Sequence, residues 1–65
     1  MATTRGIMRQ EMRRAIGNLE WALEHLARVI ITYKDEHPEI AAPLVDAAQT
    51  LEIVISTVQA VEENV

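Results

Sequence analysis

The sequence predicts an all-α protein: two amphipathic helices folded into an antiparallel hairpin, with two hairpins dimerising into a four-helix bundle. Three observations carry that expectation. Apolar residues recur at alternating steps of three and four on both sides of one break, the spacing of a single helical face. The break, Lys34-Asp35-Glu36-His37-Pro38, is charged and ends in a proline, which cannot continue a helix and disfavours helical geometry in the residue before it. The third is a 49% apolar content in only 65 residues, more apolar surface than one hairpin covers by itself.

The first helix is expected from about residue 5 to about residue 34. Thr3 and Thr4 precede it, and a threonine hydroxyl can accept from the free amides one turn on. Its seam is Met12, Ile16, Leu19, Leu23, Leu26, Ile30 and Tyr33, widened on one side by Met8, Ala15, Ala22 and Val29. Gly17, inside the helix, costs about 1 kcal/mol relative to alanine; it signals either close approach of another backbone or simple tolerance, and tolerance is favoured. The turn is expected over residues 35–42. Pro38 suits the first position of a helical turn, but Pro43 lies close behind it, so a short turn over 38–42 followed by the main helix over 43–63 accommodates both. A kinked continuous helix is the alternative.

The second helix has a competing reading, because Leu51 to Val61 is rich in β-branched residues that favour strands. Strict alternation fails at Ile53-Val54-Ile55, whereas Leu44, Ala47, Leu51, Val54, Val58, Val61 and Val65 keep helical spacing. Ile40, Ala48 and Ile55 widen that seam on one flank. Both arcs exceed the two positions per heptad that a simple helix pair uses, so a second hairpin is the natural cover.

Size makes the same demand. A chain this short buries only about 60% of the surface its unfolded form exposes, and small proteins compensate with disulfides, metals or oligomerisation. There is no cysteine, which excludes disulfides and thiolate metal sites and leaves self-association. No uninterrupted apolar run approaches the roughly 18 residues of a membrane span, and no export signal is visible. The expectation is a cytoplasmic protein without membrane contact.

The net charge of −4 is unevenly spread. Residues 1–18 carry Arg5, Arg9, Arg13 and Arg14 against Glu11, whereas residues 19–65 carry Arg28 and Lys34 against nine acids. Arg5 and Arg9 lie near a helix N-terminus, where the dipole disfavours them, and Arg9 can pair with Glu62 or Glu63 where the hairpin ends meet. Arg13 and Arg14 are expected to remain free for an acidic partner, a phosphate or an RNA backbone. RNA is the weaker prospect, because the chain is acidic and lacks a basic stripe with interleaved aromatics.

Trp21 stands well off the seam, on a face shared with Arg14, Gly17, His25 and Arg28. If residue i lies level with about residue 72 − i, Trp21 falls near Ile53, also off its own seam; Ile31 is a third such residue. A large ring framed by arginines has the composition of a binding hot spot, so Trp21, Arg14, His25, Arg28 and Ile53 form the expected partner site. A place for Trp21 in a larger homo-oligomer is the alternative.

Catalysis finds little support. Ser56 lacks a recognisable acid–base partner, Glu20 and Glu24 are an exposed i,i+4 pair, and His25 and His37 have no companion at metal-ligand spacing. No glycine-rich phosphate loop is present. The expectation is a non-enzymatic protein-interaction module without cofactor, acting as a homo-oligomer. It would be an inhibitor, adaptor or antagonist of the size that phages and plasmids encode. The alternatives are an anion- or RNA-sequestering regulator using Arg5, Arg9, Arg13 and Arg14, and a structural assembly subunit.

Overall fold

A computed structural model describes residues 3–65 as two helices, α1 (Thr4–Tyr33) and α2 (Pro38–Glu63). They pack against one another as a rod of 54 × 16 × 11 Å. The antiparallel sense is marked at the open end. There the Arg13 guanidinium donates to Glu62 at 2.8 Å, and Arg9 donates to the main-chain oxygen of Val65 at 2.6 Å.

The helix boundaries follow from local chemistry. Thr3 is the N-cap of α1: its hydroxyl accepts from the Gly6 amide at 3.0 Å, and Thr4 is already helical. α1 ends at Tyr33, and the Lys34 and His37 amides close onto the carbonyls of Ile30 and Tyr33. α2 starts at Pro38, whose missing N–H costs nothing at a first helical position. It then runs through Pro43 without interruption, so the turn is shorter than the expected 35–42 and the helix longer than 43–63. The physical reason is position: Pro43 removes one amide only a turn and a half from the helix start, leaving the carbonyl of Glu39 without its i+4 donor.

The β-branched stretch of α2 is helical. Thr50 and Thr57 turn their hydroxyls back to the carbonyls of Asp46 and Ile53, at 3.1 and 2.9 Å, and Thr32 does the same to Arg28 in α1. These bonds absorb side-chain polarity within the helix; of the apolar β-branched residues in the stretch, Ile55 and Val58 are covered, whereas Ile53, Val54 and Val61 are exposed.

The seam of α1 is the expected one. Met12, Ile16, Leu19, Leu23, Leu26 and Ile30 are all partly covered, whereas Tyr33 is exposed. In α2 the covered residues are Ala41, Leu44, Ala48, Leu51, Ile55, Val58, Glu62 and Val65. Leu44, Leu51, Val58 and Val65 were expected, but Ala47, Val54 and Val61 are replaced by residues one step further along. The helix is rotated so that Ile55, bulkier than Val54, is among the buried residues and Glu62 meets Arg13. Both choices keep heptad spacing, so periodicity alone does not separate them.

Apolar composition in α2 is also denser than uninterrupted runs suggested. Its most apolar 18-residue stretch has a mean hydropathy of 1.3, enough by length and composition to cross a membrane, contrary to expectation. Asp46, inside this helix, opposes that use, since aspartate at a bilayer centre costs about 2.5–3.5 kcal/mol.

Candidate protein-interaction surfaces

Taking the seam as positions a and d of a heptad, every other face of the hairpin can be assigned from helix geometry. Position g holds Met8, Ala15, Ala22 and Val29 on α1, and Ile40, Ala47, Val54 and Val61 on α2. In an antiparallel pair the two g rows lie on the same side of the seam. One flank of the rod is therefore apolar from end to end. Position e, on the other flank, holds Arg13, Glu20 and Ala27 on α1 and Val45, Glu52 and Gln59 on α2.

The apolar flank is open. Met8, Val29, Ile40, Val54 and Val61 are all exposed, and Tyr33 lies beside them at the turn end. Among the described residues only Ala41 (5%) and Ile55 (8%) are buried. Shape shows the same deficit: the radius of gyration is 15.3 Å, against about 11 Å for a globular chain of this length. The accessible surface is 5009 Å², where a compact protein of this mass exposes about 4,200 Å².

Trp21 lies at position f, the line farthest from the seam, and is 61% exposed. Ile7, Arg14 and Arg28 occupy the same line at seven-residue steps, each about 10.5 Å apart. Trp21 packs edge-to-face on His25, with ring centroids 4.9 Å apart. The flanking arginines are held on the helix surface, Arg14 by Glu11 at 3.2 Å and Arg28 by Glu24 at 2.9 Å. α1 thus brings Trp21, His25, Arg14 and Arg28 onto one face.

Ile53 does not join them. It occupies position f of α2 and is 67% exposed, beside an open depression lined by Gln49, Glu52, Ser56, Thr57 and Ala60. Trp21 and Ile53 are level along the rod but on opposite backs of it, roughly 20 Å apart across two helix diameters. Level alone suggested proximity; the angle around each axis separates them. Ile31, exposed as expected, lies toward the polar flank near Val45.

The arginine cluster is arranged differently from expectation. Arg13, expected to be free, is the one that reaches Glu62, and Arg9 takes the Val65 oxygen instead. In these contacts the paired residues sum to about 74–75 rather than 72, so each arginine reaches a residue further along the chain than level counting gives. Arg14 is tied to Glu11, and Arg5 forms no ion pair among the described residues. These bridges are exposed on the arginine side, so each is worth no more than about 1 kcal/mol.

The residues that sequence reasoning undervalued are those of the g rows. They appeared as flank residues or, for Val54 and Val61, as seam. Their seven-residue repeat on both helices was the available signal. No protein-family model matches the chain, and no curated protein or solved structure matches it. Function therefore rests on these surfaces.

Proposed function

We propose that this chain is a non-catalytic protein–protein interaction module that works as a homodimeric four-helix bundle and presents the Trp21 face to a second protein. One observation carries the reading: an end-to-end apolar flank stands open on a hairpin in which only Ala41 and Ile55 are buried among the described residues. Such a hairpin is half of a core. A second copy supplies the other half through the same surface, as an isologous two-fold contact requires. The Trp21 face lies outside that contact, since position f points away from both the seam and the g rows. Its ring and flanking arginines have the composition of interface anchors. A module of this kind acts by occupancy, as an inhibitor, adaptor or antagonist, in the cytoplasm.

Light-scattering mass of wild type and Trp21→Ala tests this directly. The expected mass for both is twice the 7.3 kDa of the chain, with unchanged helicity. A monomeric wild type at all concentrations sinks the dimer. A wild type larger than a dimer, reduced to one by Trp21→Ala, moves Trp21 from the partner site into the assembly.

A further inference from the structure

The dimer reading leaves open how the second hairpin lies on the first, and the charge distribution along the rod decides it. The open end of the rod gathers Arg5, Arg9, Arg13 and Arg14 against Glu11, Glu62 and Glu63. The turn end carries Lys34 against Asp35, Glu36 and Glu39. The open end therefore has an excess of one positive charge and the turn end an excess of two negative ones. Arg13 and Arg14 are held by carboxylates of their own end, whereas Arg5 and Glu63 have no ion pair among the described residues. Asp35 and Glu36 likewise have none, while Glu39 meets His37 at 3.1 Å.

We infer that a second copy of this chain docks on the g-row flank in the antiparallel sense, its turn end over the open end of the first. This rests on the dimer reading and adds its geometry. In that sense each Arg5 lies near the partner's Asp35–Glu36 turn, and the two acidic turns stand at opposite ends of the bundle. Docking in the parallel sense would stack arginine end on arginine end and acidic turn on acidic turn. Juxtaposed like charges are the element that rejects a wrong arrangement between surfaces of similar apolarity. The available area suits the contact. Two free hairpins of 5009 Å² each stand well above the roughly 6,900 Å² of a compact protein of twice the mass, which leaves room for the 1,200–2,000 Å² of a standard interface.

The sense of docking also determines which helices face each other. Antiparallel docking about a two-fold axis at mid-rod sets α1 over the partner's α1 and α2 over its α2. The parallel sense sets α1 over the partner's α2. Ala22 and Val54 are at nearly the same level, both in g rows; the midpoint of α1 falls between Ala15 and Ala22, so a mid-rod two-fold axis sets Ala15 opposite the Ala22 of the second copy, and the chain has no cysteine.

Disulfide trapping of the full chain therefore reads the geometry. A 1:1 mixture of Ala15→Cys and Ala22→Cys chains is expected to give a covalent mixed dimer under mild oxidation. A 1:1 mixture of Ala22→Cys and Val54→Cys chains should give little of the mixed species. A disulfide that forms in the second mixture and not in the first overturns antiparallel docking while leaving the dimer intact. Light scattering on the same reduced samples separates the two failures, since a monomer at every concentration overturns dimer and docking together. Arg5→Glu guards against a misleading cysteine variant. It is expected to weaken dimerisation by at least about threefold, with recovery on adding Asp35→Arg and Glu36→Arg; failure of the added changes to restore it counts against the arrangement.

Discussion

The two flanks of the hairpin seam are built from the same two helices, yet they carry opposite chemistry. On the g side an unbroken row of methyl and methylene surface runs the length of the rod, from Met8 and Val61 near the open end to Val29 and Ile40 near the turn. On the e side Arg13, Glu20, Glu52 and Gln59 meet water, and Ala27 and Val45 are the apolar exceptions, with Ile31 exposed toward the same flank. A hairpin needing only its own seam would have no cause to differ between flanks. The asymmetry teaches that the apolar surface of the hairpin extends past the seam on one side only, the side on which the proposed dimer would continue the core. It also leaves the back of α1, with Trp21, outside the packing problem.

The comparison breaks most sharply with a charge. In the proposed dimer, Val54→Asp would bury an unpaired carboxylate between two hairpins, at a cost of several kcal/mol. It should convert the dimer to monomer and lower helicity by circular dichroism. Gln59→Asp, at a similar height on the other flank, should shift stability by about 0.5 kcal/mol or less. Equal effects from the two would dissolve the distinction between flanks.

Ile55→Ala comes next, with an expected loss of about 2–4 kcal/mol in denaturant melts, because Ile55 is one of two buried side chains among the described residues. A loss no greater than that of Val54→Ala would return the seam of α2 to the rotation expected from sequence. A smaller effect, of opposite sign, is expected at Gly17. A Cβ there meets no atom within 4 Å, so Gly17→Ala should raise stability by up to about 1 kcal/mol. Destabilisation would mean that another backbone approaches the Trp21 face closely. Smallest of all is the Arg13–Glu62 bridge across the open end. A double-mutant cycle to alanine should give a coupling of about 0.5 kcal/mol.

Much of this was legible residue by residue. The seam of α1 follows from spacing alone, since Met12 to Ile30 offer no rival row of large apolar residues. The Thr3 cap follows from the free amides of a helix N-terminus, which lack acceptors; the unbroken start of α2 at Pro38 did not, because Pro43 pointed to a main helix beginning there. The seam of α2 was not legible in the same way. Two rows, one through Val54 and one through Ile55, satisfy the same period, and only packing against α1 chooses between them. The site reading failed at the same kind of question. Trp21 and Ile53 share a height, which sequence can count, but not a side, which depends on the rotation of both helices.

By itself, then, the sequence determined that the chain forms two helices, where the first begins, which direction the second returns, and that more apolar surface exists than one hairpin covers. These are local or compositional matters, decided by periodicity, caps and prolines within a turn or two. Only the tertiary structure decided the rotation of α2, the pairing of Arg13 instead of Arg9 with Glu62, and the separation of Trp21 from Ile53. Each of these depends on the angular register between two cylinders. A shift of one residue turns a helix by about 100° while leaving its hydrophobic period unchanged.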